Sequence, residues 1–122
     1  MATIFFSVDG QGEAGENAGV RILTWSALAN GDDGSSVELS VFSDRSVQVA
    51  GTFGTGGKCV IQGSNDGANW STLNDAQGVA LEFSVSKIEG VQEISRYIRP
   101  LVTVGDVTTN LTVTLLAKRS GR

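Results

Sequence analysis

Val37, Leu39 and Val41 alternate with Glu38 and Ser40, and the same period of two returns in Val47-Gln48-Val49, in Leu81-Glu82-Phe83-Ser84-Val85 and in Leu111-Thr112-Val113-Thr114-Leu115. Successive side chains of a strand point to opposite faces of a sheet, so each run predicts a strand with one dry and one wet face. The pattern predicts about eight strands, near 20–28, 36–42, 46–53, 58–63, 69–73, 80–85, 96–104 and 110–117. Turn chemistry separates them: Asn30-Gly31-Asp32-Asp33-Gly34, Gly54-Thr55-Gly56-Gly57, Asn65-Asp66-Gly67 and Gly105-Asp106 supply residues that tolerate positive φ or bond their own backbone. Strands at this spacing predict an all-β fold, a sandwich or a barrel. One stretch departs from the pattern. Ser86 to Ser95 spaces Ile88, Val91 and Ile94 three apart, which predicts a short helical turn across one end of the sandwich.

Pro100 cannot donate to a sheet ladder, so the segment Arg96-Tyr97-Ile98-Arg99-Pro100 is expected on an edge strand or at a bulge. There Tyr97 and Arg99 would be accessible, a composition favoured at protein interfaces. The other reading buries Tyr97 and pairs the arginines with Glu89 or Glu93.

The chain divides into an arm, residues 1–19, and a sandwich domain, residues 20–122. Residues 7–19 are rich in glycine and acid and hold too few large apolar groups to offset the entropy lost on ordering, so a flexible arm is expected. Ile4, Phe5 and Phe6 precede it. Three large apolar residues in that place either pair as a first strand with the body's own sheet or dock on a partner.

The 122 residues form one domain, with 40% hydrophobic and 18% charged residues, and no apolar run reaches the length needed to cross a bilayer. Neither a membrane nor a signal peptide is indicated, so synthesis in the cytoplasm is expected. A net charge of −4 speaks against a nucleic-acid partner. Charge is nonetheless uneven: Asp9, Glu13 and Glu16 lie near the start, and Lys118, Arg119 and Arg122 close the chain. These ends are either solvated or reach complementary charge on a neighbouring subunit. Cys59, the single cysteine, lies beside Val60 and Ile61 and reads as a small buried hydrophobe.

The absence of histidine removes Ser-His-Asp and Cys-His arrangements and imidazole metal sites. Gly54-Thr55-Gly56-Gly57-Lys58 does not meet the phosphate-loop spacing, since Cys59 follows the lysine, and a hairpin turn is expected. Asp32, Asp33, Asp66 and Asp75 fall in turns, and no glutamate follows at the spacing of a calcium loop. No catalytic, cofactor or metal residue is assigned, and a non-enzymatic protein is expected. Trp25 and Trp70 are the candidates for a rival function, stacking on sugars.

The runs Val49-Ala50-Gly51-Thr52-Phe53-Gly54 and Val60-Ile61-Gln62-Gly63-Ser64-Asn65-Asp66-Gly67-Ala68-Asn69-Trp70-Ser71-Thr72-Leu73, followed by Arg96-Tyr97-Ile98-Arg99-Pro100, resemble the capsid decoration, or cement, proteins of tailed bacteriophages. The resemblance covers roughly residues 47–117. It implies a two-sheet antiparallel sandwich, jelly-roll-like, on the outer surface of the virion head that bridges major capsid subunits and associates with copies of itself as a dimer or trimer. Ile4, Phe5, Phe6, Tyr97, Arg99, Lys118 and Arg119 are the contact residues expected on this reading. The alternative from a different class is a phage tail or adhesion module that binds surface glycans through Trp25 or Trp70.

Overall fold

The computed structural model describes residues 2–8 and 19–119. Its strands are β1 (Thr3–Ile4), β2 (Ser7–Val8), β3 (Val20–Leu28), β4 (Asp33–Gly34), β5 (Val37–Glu38), β6 (Asp44–Thr52), β7 (Lys58–Ser64), β8 (Ser71–Thr72), β9 (Glu82–Phe83), β10 (Lys87–Gly90), β11 (Tyr97–Val104) and β12 (Asn110–Lys118). They form two sheets. The first runs β1-β4-β11-β7-β8, with β5 continuing beside β11 and β9 beside β7; the second runs β10-β6-β12-β3-β2. Pairing is antiparallel except where β1 lies parallel to β4, so the first sheet is mixed.

The alternation read from the sequence sets the core between the sheets. Leu23, Trp25, Val47, Val49, Val113 and Leu115 point inward from the second sheet, and Cys59, Ile61, Phe83, Ile98 and Val102 meet them from the first. Burial of such side chains, each contributing about 1.5–3 kcal/mol, is what holds the layers together.

All eight expected strands are present, those near 36–42, 69–73 and 80–85 shortened to two residues each, and four further strands, β1, β2, β4 and β10, join them. The helical turn expected over residues 86–95 is absent: β10 occupies its first half, pairing Ile88 with Gln48 and Glu89 with Val47. Ile88 and Ile94 are exposed and only Val91 packs on the core, so the spacing of three marked no buried helix face. Residues 3–8 pair with the body's own sheets, β1 on β4 and β2 on β3. The rest of the expected arm, residues 9–18, lies outside the described residues.

Pro100 sits in β11, a central strand, against the expectation of a rim. The reason is a gap in the neighbouring row. Val102 donates its N–H to the Asp32 carbonyl, and Arg96 offers its carbonyl to Leu39 N–H, so the even-numbered residues of β11 face β4 and β5. Between the short β4 and β5 there is no ladder for Pro100 to join, and the proline there costs no hydrogen bond.

Candidate functional site

The carboxylates at the turns are spent on the turns themselves. Asp66 accepts hydrogen bonds from Ala68 N–H at 2.9 Å, Asn69 N–H at 2.8 Å, the Asn69 amide and the Ser64 hydroxyl. Those donors, led by the Asn69 backbone, hold its pKa far below the usual carboxylate range. Asp106 is lowered in the same way, first by the Thr108 hydroxyl and then by the Thr55 N–H, and so ties the 54–57 turn to the 105–109 turn. Asp75 accepts from Gln77 and Val79 N–H. Glu93 bonds the Asn74 backbone and amide, which outweighs its partial burial and lowers its pKa.

Two buried aspartates fasten the N-terminal segment. Asp32 accepts from Ala2 N–H and Ala29 N–H, both at 2.9 Å, and Asp33 accepts from the Thr3 hydroxyl at 2.7 Å. Asp32, Asp66 and Asp75 thus clamp backbone N–H groups, while Asp33 holds the Thr3 hydroxyl and faces Arg99. Among the described residues no group of three or more Cys, Asp or Glu is placed to hold a metal ion.

Sequence reasoning did not single out Arg45, which is buried. Its guanidinium donates to the carbonyls of Phe42 and Leu39, both at 2.8 Å, and of Ser95 at 2.7 Å. Among the described residues it meets no carboxylate. Burial lowers its pKa, although a guanidinium starts so high that it stays charged. An arginine at a strand position paired with Ala117 alternates like a core residue, and this was the available signal.

The expected contact residues do not converge. Ile4 and Phe6 are half-buried against the core, and the Phe6 ring meets Trp25 edge-on at 5.9 Å. Phe5 between them is 81% exposed. Tyr97 and Arg99 lie on the outer face of the first sheet, where the Arg96 guanidinium stands 5.1 Å over the Tyr97 ring and that of Arg99 stands 4.1 Å over Trp70. Arg99 also reaches Gln62 Oε1 at 2.9 Å and Asp33 at 3.6 Å, and Arg96 pairs with Glu38 at 3.4 Å. The partners Glu89 and Glu93 considered from sequence are engaged elsewhere, with Lys87 and Asn74. Lys118 and Arg119 stand exposed at the end of β12, in the other sheet.

Trp25 is unavailable for stacking on a sugar: it is 1% exposed and donates its indole N–H to the Ser35 carbonyl at 3.0 Å. Trp70 is half-buried beneath Arg99. Cys59 is buried, as expected, and its thiol is pushed up to about 12 by burial.

The outer face of the second sheet has a different character. Register places Ile88, Gln48, Thr114 and Thr24 in one row and Ser46, Leu116 and Ile22 in the next. No charged side chain interrupts these rows. Asp44 and Lys118, register partners of each other, mark their end.

What these elements define is a two-sheet β-sandwich with stiffened loops and one uncharged outer face. No protein-family model and no curated protein matches the chain. Among solved structures it resembles the SPBc2 prophage-derived protein YomS, with a TM-score of 0.60 and 12% identity over 80% of this chain and 93% of that one. Weaker likenesses are to Peruvianin-I, a cysteine peptidase from Thevetia peruviana latex (TM-score 0.48, 16% identity, 95% of this chain and 63% of that one), and to NMB1881 from Neisseria meningitidis (0.43, 11%, 93% and 81%). At 12% identity the likeness to YomS is one of fold.

Proposed function

We propose that this protein is a phage capsid decoration protein that binds the outer surface of the head, ties neighbouring major capsid subunits together and performs no chemistry on a substrate. The observation that carries the reading is how the polar groups are used. The loop carboxylates are bonded to the backbone and side chains of their own turns, while Phe5, Val79, Val85, Ile94 and Val107 outside the strands remain exposed. Stiff loops with apolar tips suit a clamp, because they lose little freedom on binding and cover protein surface well. A ligand pocket would instead gather polar groups around a cavity of roughly 300 Å³ or more. Two clefts among the described residues, about 70 Å³ beside Phe83 and Lys87 and about 180 Å³ beside Leu116 and Lys118, are smaller.

The sequence resemblance to decoration proteins and the fold likeness to a prophage-derived protein support the same reading. A decoration protein also needs only modest affinity at each contact, since several contacts to one lattice act together. Co-sedimentation of the purified chain with expanded empty shells tests the reading. Retention of the chain in the shell pellet, saturating at a fixed ratio to the major capsid protein, is the expected result, and a chain left wholly in the supernatant would overturn it. A glycan array gives the control for the rival reading: signal lost on Trp70→Ala would move the function to sugar binding.

A further inference from the structure

We infer that the uncharged outer face of the second sheet is the interface of a two-fold dimer of this chain. This goes beyond the shell-binding reading and does not depend on it.

The face lies outside the core and carries no charged side chain over its central rows. Ile22, Thr24, Gln48, Ile88, Thr114 and Leu116 occupy it, and Leu116 and Ile88 are 40% and 60% exposed. Charge depletion at the centre of a patch, more than bulk hydrophobicity, is what distinguishes an interface from ordinary surface. Inner positions of β10 follow the opposite rule: Lys87 and Glu89 point toward the sandwich edge and pair at 3.3 Å. Such inward charges discourage edge-to-edge strand addition, which leaves the face as the place for a second sheet.

Size and charge select a copy of the chain as the occupant. At about 4.8 Å between strands and about 3.4 Å per residue, β3, β6, β12 and β10 present on the order of 500 Å² in projection. Side chains make the accessible area larger than its projection, which brings it toward the roughly 800 Å² per partner of a stable interface. Asp44 and Lys118 sit side by side at one end, on adjacent strands, and neither forms an ion pair among the described residues. A two-fold axis running along the strands between β6 and β12 exchanges these strands. It therefore sets Asp44 opposite the partner's Lys118 and Lys118 opposite the partner's Asp44. The same operation carries Leu116 of each copy toward the shallow depression that Ser46 and Lys118 help to line on the other. Sheets packed face to face in this manner are the ordinary aligned arrangement.

Sedimentation equilibrium of the full chain tests the inference without any shell. The expected species has twice the 12.7 kDa of one chain. Leu116→Glu should raise the dissociation constant at least about thirtyfold, the effect of losing a central anchor. Asp44→Lys should weaken the dimer and the exchange Asp44→Lys with Lys118→Asp should restore it, a rescue that misfolding would not give. Circular dichroism confirms that each variant is folded. A monomer at all concentrations, or a dimer indifferent to both Leu116→Glu and Asp44→Lys, would overturn the inference. So would a monomeric chain whose co-sedimentation with shells is abolished by Leu116→Glu, since the face would then belong to the capsid subunit.

Discussion

Arg45 shows how a single residue can hold a corner of the sandwich without an ion pair. The carbonyls of Leu39, Phe42 and Ser95 converge on its guanidinium; that of Leu39 also accepts the Phe42 N–H, and buried carbonyls left unpaired cost about 1–3 kcal/mol each. Arg45→Met keeps the apolar bulk and removes the donors. It should lower stability by about 2–4 kcal/mol, allowing for partial relaxation, as read by urea unfolding. A loss below about 0.5 kcal/mol would mean that water replaces the guanidinium at no cost. Asp66 and Asp106 predict the response to acid. A carboxyl with a depressed folded-state pKa contributes stability that is present above its ordinary value, about 3.9 for aspartate, and is lost as pH falls through the folded value. Both residues are held well below that range. The melting midpoint should therefore be little changed from neutral pH to about pH 5 and decline progressively below about pH 4. Asp106→Asn should lower the midpoint at neutral pH and make the acid decline shallower; an unchanged acid limb in that variant would remove Asp106 from the explanation.

At the scale of elements, the second sheet contains a strained residue that can be relieved. Leu28 pairs with Leu111 and Trp25 with Val113, so Ser26 and Ala27 together oppose Thr112 in a bulge. Ala27 adopts a φ of 60° there, a left-handed conformation that costs an L-residue roughly 1–2 kcal/mol. Ala27→Gly should raise stability by about 0.5–1 kcal/mol, after the greater entropy of an unfolded glycine is subtracted. Differential scanning calorimetry would show the increase. Gly34 has the opposite requirement. A Cβ there would stand 2.5 Å from Pro100 Cδ and 2.6 Å from Trp25 Cδ1, so Gly34→Ala should destabilise by about 1–3 kcal/mol through overpacking. The long strands were legible because their alternation is backed by burial: the expected 20–28 and 58–63 match β3 and β7 to within a residue. β4 was not legible, since Asp33 and Gly34 have turn chemistry and become a strand only by pairing with Thr3 and Ile4. β10 was misread because Ile88 faces outward, where spacing carries no information about the core.

At the scale of the whole molecule, the sequence separated the layers but not the surfaces. Tyr97 and Arg99 were chosen for their composition and do share one outer face, whereas Lys118 and Arg119 belong to the other sheet. The row of Gln48, Thr114 and Thr24 was hidden because its residues come from strands distant in the chain and look individually like ordinary wet-face positions. Only register reveals that no charge lies among them. One uncharged face and one face bearing Arg96, Arg99, Tyr97 and Trp70 give the sandwich two unlike sides.

Survival of empty shells during heating, measured by light scattering with and without saturating amounts of this chain, tests the central claim most directly. The account predicts that decorated shells persist to a higher temperature than bare ones and that the gain is lost when the chain is washed away. Shells that disassemble at the same temperature whether or not the chain is bound would contradict it.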